Sequence, residues 1–192
     1  MIYTTLMNVQ ELHAILVNQK ITGKKVPLCV LDCRCSIGNP DIGIELYKEG
    51  HIPGAVLCDF DRVVTGKVCH GTGRHPMPDR ETFIKNMEAL GVSSDKQIVI
   101  YDQGGLGFAT RLWFQLRWIG LEKVAVLDGG YQAWVNQKFP VSTEPAVPEA
   151  GVINANEPFE IPTEMKTVQD NLNTHEYLVV DARSESRLHC IG

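Results

Sequence analysis

The stretch Ile98-Val99-Ile100-Tyr101-Asp102-Gln103-Gly104-Gly105-Leu106-Gly107-Phe108-Ala109-Thr110-Arg111 constrains this chain more than any other. A β-branched run ends on an acid, passes through a glycine-rich loop and enters an apolar helix. A strand that is apolar at every position is a strand buried on both faces, as in a parallel sheet covered by helices. The unit also aims several backbone N–H groups and a helix N-terminus at one point, which is how a chain builds an anion site without side chains. Asp102 stands at the strand's C-terminal end, where parallel α/β domains keep their reactive groups. It carries negative charge into a cradle suited to anions. The scaffold is one for chemistry that this copy is not expected to perform.

The rest of the chain repeats the pattern. Asn8 with Glu11 three residues on reads as a capped start for a helix over 8–19. Leu28-Cys29-Val30-Leu31-Asp32 is a short apolar strand ending in an acid, and Ala55-Val56-Leu57-Cys58 is a second. A helix is expected over 79–90, with Phe83, Ile84, Met87 and Leu90 on its apolar face and Gly91 as its stop. After the strand 98–101 come a helix over 107–119 closed by Gly120, a strand Val124-Ala125-Val126-Leu127, and a helix opened by Asp128-Gly129-Gly130 and running to about Asn136. Apolar strands alternating with helices predict an α/β fold, a parallel sheet with helices on both faces.

Composition limits what such a domain does. A net charge of −5 gives no electrostatic case for nucleic acid. No apolar run approaches the roughly 20 residues that span a bilayer. Met1-Ile2-Tyr3-Thr4-Thr5-Leu6 has no basic region before an apolar core, so a secretory signal is not read there. The six cysteines are then read as reduced thiols, with Cys29 and Cys58 as small buried hydrophobes. The expected compartment is cytoplasmic.

From Pro140 onward the composition shifts. Pro140, Pro145, Pro148, Pro158 and Pro162 punctuate a stretch without sustained periodicity, read as a linker over 143–162. A helix follows over about 163–172, then Tyr177-Leu178-Val179-Val180-Asp181 as a strand. Val180-Asp181-Ala182-Arg183 repeats Leu31-Asp32-Cys33-Arg34, each after an amphipathic helix, about 150 residues apart. That offset fits a duplicated domain rather than a solenoid. The expected organisation is one domain over 1–142, the linker, and the incomplete start of a second domain over 163–192, since about 30 residues cannot bury a core alone.

Four motifs in order carry a resemblance: Leu31-Asp32-Cys33-Arg34, Gly50-His51-Ile52-Pro53-Gly54-Ala55, the glycine loop after Tyr101, and Asp128-Gly129-Gly130-Tyr131-Gln132-Ala133-Trp134. Together they resemble the rhodanese family over almost all of 6–142. The long insertion before Asp79 and the second Asp-x-Arg strand resemble the two-domain thiosulfate/3-mercaptopyruvate sulfurtransferases. In that family the glycine loop normally begins with a cysteine, whose thiolate takes up sulfur as a persulfide and passes it to cyanide or a thiol. Backbone N–H groups around a thiolate depress its pKa and make it a better nucleophile at neutral pH. In two-domain members the N-terminal domain carries an acid instead, and Asp102 matches that pattern. The resemblance therefore implies a non-catalytic half with no catalytic residue of its own. Its loop at the nucleophile position is Asp102, Gln103, Gly104, Gly105, Leu106 and Gly107, and a carboxylate there would repel an anionic donor. Asp61, His75 and Arg187 match residues that line the substrate cleft, Arg187 as the grip on a donor's carboxylate or sulfonate. The implied partners are a small anionic sulfur donor, a thiol or cyanide acceptor, and a further C-terminal rhodanese domain. A mitochondrial location is the family's other possibility. No cofactor and no metal are implied.

Other readings compete for the same residues. Asp61 in such a place is more often a loop-capping acid, and His75 a surface loop residue. Asp32 and Arg34 are expected to pin the loop after their strand, and His51 is expected to serve the Pro53-Gly54 turn. Cys33-Arg34-Cys35 is not expected to be a redox pair, its two thiols being taken to point to opposite faces. Cys69, His70 and His75 match no zinc spacing. Gly105-Leu106-Gly107-Phe108-Ala109-Thr110 approaches a dinucleotide fingerprint, but Thr110 replaces the third glycine and Asp102 would face the pyrophosphate. A phosphatase is disfavoured, because the loop lacks both cysteine and a closing arginine. The alternative function is a non-catalytic rhodanese-like binding or regulatory module.

Overall fold

The computed structural model describes residues 2–105 and 107–182. The chain divides into two compact units, one to Glu160 and one from Ile161. In the first unit β1 (Leu6–Met7), α1 (Val9–Thr22), β2 (Leu28–Asp32), α2 (Ile42–Glu49), β3 (Val56–Leu57), α3 (Arg80–Ala89), β4 (Gln97–Tyr101), α4 (Gly107–Trp118), β5 (Val124–Leu127) and α5 (Gly130–Asn136) follow one another. The strands form one sheet in the order β1-β5-β4-β2-β3, and every pairing is parallel. All C-terminal strand ends, with the loops after Asp32, Leu57 and Tyr101, therefore lie at one end of the domain.

Period-two alternation sorts the strand residues between two cores. Cys29, Leu31, Ile98, Ile100, Val124 and Val126 face one side, where α3 delivers Phe83 and Met87 and α4 delivers Ala109, Leu112 and Leu116. Val30, Val99, Tyr101, Ala125 and Leu127 face the other, against Leu12 of α1 and Trp134 of α5. Helices on both faces explain why these strands are apolar throughout.

Local signals place the helix ends. Asn8 and Glu11 form the expected reciprocal capping box, Glu11 N donating to Asn8 Oδ1 (2.9 Å) and Asn8 N to Glu11 Oε2 (3.0 Å). Asp79 caps α3 through Thr82 N (2.9 Å). Three elements carry too little local signal to be expected from the sequence: the two-residue β1, α2, and one turn of π-helix over Phe60–Val64.

The proline-rich stretch read as a linker belongs, up to residue 160, to the first unit. It runs along the domain as a strap. Ser142 and His51 exchange backbone hydrogen bonds (2.8 and 2.9 Å). Gly151 N donates to Glu88 O, Ile153 N donates to Glu88 Oε1 (2.8 Å), and Ile153 enters the core. Near its end Arg117 lies between the rings of Trp113 and Phe159, 5.0 and 4.8 Å from their centroids, and pairs with Glu160 at 3.2 Å. Proline blocks helix and central strand alike, so this segment reads as irregular while still being held at fixed points.

In the second unit α6 (Met165–Thr174) forms as expected. Asn171 ties its end to Tyr177 by two hydrogen bonds of 2.9 and 2.7 Å. The expected strand over 177–181 is corrected: no strand is formed there among the described residues, and Leu178 is 90% exposed. A strand exists only through its ladder, so a strand-like composition alone does not make one.

Candidate functional site

Asp102 is 2% exposed at the C-terminal end of β4. Its Oδ1 accepts from Gly104 N (2.8 Å), and its Oδ2 accepts from Phe108 N and Ala109 N (3.3 Å each), the N–H groups of the first turn of α4. The side chain of Asp102 itself takes up these N–H groups of the loop and helix N-terminus. The loop is fixed from below by α5, where Tyr131 N donates to Asp102 O (2.9 Å) and Gln132 N to Gln103 O (3.2 Å). Gly130, at φ 55°, makes this approach possible: a Cβ there would lie 2.5 Å from Asp102 O and 2.8 Å from Gly104 N. Leu106 lies outside the described residues.

Next to the loop stands a second group. Asp61 Oδ1 and His75 Nε2 are 3.4 Å apart, each about one-third exposed. They come from different segments, Asp61 from the π turn after β3 and His75 from the insertion before α3. Phe60 links them to the loop, its ring edge-on to His75 (6.0 Å) and to Phe108 (4.9 Å). The capping acid of the π turn is Asp59, which accepts from Arg62 N at 3.0 Å, so Asp61 is left to meet His75. Arg187 lies outside the described residues. Phe60 and Phe108 are site residues that sequence reasoning misses, since their only signal is adjacency to Asp61 and to the glycine loop.

Under the loops Asp32 and Arg34 form the expected pin. Arg34 Nη2 meets Asp32 Oδ2 at 2.7 Å, and the same nitrogen donates to Leu46 O (3.0 Å) and Gly50 O (2.7 Å). Tyr101 Oη donates to Asp32 Oδ2 at 2.7 Å and accepts from Ile52 N at 3.2 Å. Arg34 also stacks 4.0 Å over the Tyr131 ring. One buried ion pair thereby joins the loops after β2, α2 and β4. His51 is fully buried rather than simply a turn residue. It stacks on Tyr47 at 3.8 Å, with Nδ1 2.8 Å from Tyr47 O and Nε2 3.0 Å from Glu144 O.

The thiols of Cys29, Cys33, Cys35 and Cys58 are not poised as nucleophiles. Cys33 and Cys35 pack on the same core rather than on opposite faces, because residues i and i+2 of an extended chain share a side. Burial pushes the Cys33 thiol well above its ordinary value, and neighbouring Cys58 and Asp102 push the same way. Burial and then Asp61 raise Cys35, burial raises Cys58, and burial lifts Cys29 to about 11. Arg34 does not offset this, because Asp32 holds it. Among the described residues no group of three His, Cys, Asp or Glu side chains is placed to hold a metal, and no helix is long and apolar enough to cross a membrane.

A parallel sheet whose C-terminal end closes a glycine loop and a helix N-terminus around an anion defines an α/β domain made to hold negative charge at one point. The chain belongs to the rhodanese family: the family described as rhodanese-like domain matches residues 9–137. It is 35% identical over 162 residues to a probable 3-mercaptopyruvate sulfurtransferase of Pseudomonas aeruginosa, covering 83% of this chain and 57% of that protein. It is 32% identical over 146 residues to the thiosulfate sulfurtransferase of Cricetulus griseus, covering 73% and 47%. The crystal structure of SseA from Escherichia coli, described as showing the rhodanese fold and catalytic mechanism of 3-mercaptopyruvate sulfotransferases, superposes with a TM-score of 0.80 at 28% identity. That match covers 98% of this chain and 69% of the other. The chain thus spans about half the length of these two sulfurtransferases.

Proposed function

We propose that this chain is the non-nucleophilic half of a two-domain sulfurtransferase of the thiosulfate/3-mercaptopyruvate type, and that residues from 163 onward open the second, nucleophile-bearing domain. The observation that carries this reading is the Asp102 carboxylate seated on Gly104, Phe108 and Ala109 N–H. A nucleophile that takes up sulfur needs that cradle for its own thiolate and for the persulfide that follows. Here the cradle is filled by a group that cannot carry sulfur, and the nearby thiols Cys33 and Cys35 are held toward their neutral form. The half contributes binding instead. Asp61 and His75, 3.4 Å apart, form one wall of a cleft for a small anionic donor. Arg187 supplies the forked contact to the donor's carboxylate or sulfonate. A thiol or cyanide is the acceptor.

Intact mass of the purified chain after exposure to 3-mercaptopyruvate or thiosulfate, read beside thiocyanate formation, tests the proposal. The expected result is no gain of a sulfur atom and no thiocyanate, with activity appearing once a C-terminal rhodanese domain extends the chain. A sulfur gain that cyanide removes would show a catalytic cysteine within these residues. Continued silence after the extension would point to a binding module.

A further inference from the structure

Between the π turn and α3 the chain makes a loop whose exposed part runs from Lys67 to Arg74. Its neck is tight. Gly66 N donates to Pro76 O at 3.0 Å, and a Cβ on Gly66 would collide with Met77 O. Two side chains of α4, one turn apart, grip this neck from the core side. Arg111 Nη2 donates to Pro76 O (3.0 Å). Gln115 Nε2 donates to Val64 O (2.9 Å) and sits 3.5 Å from Met77 Sδ. One residue thus holds the returning limb beside His75, and the other spans both limbs.

These are costly residues for that place. Gln115 is fully buried, and its Oε1, like Arg111 Nε, is buried without a hydrogen-bond partner among the described residues. Arg111 makes no ion pair among them either; burial alone pulls its guanidinium below the ordinary value. It lies 5.8 Å from the centroid of Phe60, the ring that faces His75. An apolar side chain of similar volume would bring no unpaired polar atoms of its own, but would leave Val64 O or Pro76 O without this donor. What the polar pair supplies, and an apolar pair would not, is the fixed position of the neck. We infer that Arg111 and Gln115 are positioning residues that clamp the neck of the 66–77 loop and thereby hold His75 against Asp61. The functional meaning of the clamp rests on the cleft proposed above, whereas its mechanical effect does not.

The test uses the full chain with Arg111→Met, Arg111→Lys and Gln115→Met, and reads two signals without any donor. One is the rate of tryptic cleavage at Lys67 and Arg74 relative to Lys24 and Lys25, which are exposed elsewhere in the same unit. The other is the nuclear Overhauser contact between the His75 and Phe60 rings. In Arg111→Met, loop cleavage is expected to rise about tenfold relative to the Lys24 and Lys25 sites, the share of one hydrogen bond in a local opening. The ring contact is expected to vanish while the dichroism spectrum stays that of the parent. Arg111→Lys, whose ammonium can still reach Pro76 O, is expected to restore both signals. An unchanged ratio with the ring contact intact overturns the inference, as does a loss that lysine does not repair. Should Arg111→Met fail to fold, Gln115→Met takes its place: faster loop cleavage with a lost ring contact supports the clamp, and no change in either overturns it. Titrating 3-mercaptopyruvate into the parent chain separates the two claims: unmoved Asp61 and His75 resonances would sink the cleft reading and leave the clamp standing.

Discussion

Replacing Asp102 by alanine removes the acceptor of three backbone N–H groups in a site that is 2% exposed. Leaving buried donors unpaired costs about 2 kcal/mol. The vacated cradle should then take an external anion, so sulfate or thiosulfate should raise the melting temperature of Asp102→Ala more than that of the parent chain. A thermal shift series in both salts checks this, and an equal response of the two proteins would refute it. Asp32 behaves differently because its partner is a cation. Asp32→Ala strands the Arg34 guanidinium, 3% exposed, without its countercharge, and urea unfolding should show a loss of about 3–5 kcal/mol. Both roles are half legible in the sequence. The acid at a strand end marks each position, and Asp-x-Arg announces its own local bond. The company these acids keep is not legible. Tyr101 Oη reaches Asp32 across 69 residues, and no spacing rule carries that far. The meeting of Asp61 with His75 is likewise a product of the folded neck, not of their separation.

Elements with a closed local signal are readable, and elements defined by distant contacts are not. The box at Asn8, the Asp79 cap and the glycine stops set helix ends from within a few residues. β1 is only two residues long, and its place depends on Gln97, whose side chain accepts from Tyr3 N and donates to Tyr3 O at 2.9 Å each. The segment over 177–181 shows the converse, a strand-like composition that forms no strand among the described residues. The Asp79 cap carries a pH consequence. Hydrogen bonds from Thr82 N and then Thr82 Oγ1 hold its carboxyl below the usual 3.8. A carboxyl depressed in the folded state contributes fully above its unfolded value. That contribution fades as pH falls from near 3.8 through the lower folded value. Asp79→Asn keeps the cap and should flatten this part of the acid limb when urea midpoints are followed from neutral pH downward. An acid limb of unchanged steepness in the variant would rule the assignment out.

For the whole molecule the strap decides where the first unit ends. A chain stopped after Glu160 should melt as the first unit of the full chain does. One stopped after Ser142 loses Ile153 from the core and the bonds at Glu88 and Arg117, and should melt about 10 °C lower. Calorimetry of the two truncations checks the boundary; equal melting temperatures would move it back to Ser142. The strand order carries a different consequence, one of timing. β1 is made before the other strands of the sheet, yet the strand it pairs with, β5, is the last of them, with Leu6 set beside Val126 and Met7 beside Leu127. On the ribosome β1 has no seat in the sheet until residue 127 has left the exit tunnel, because contacts so far apart in sequence close late. Until then Val30 and Val99 lack the cover that α1 brings, and a growing chain in that state is the form a chaperone would meet.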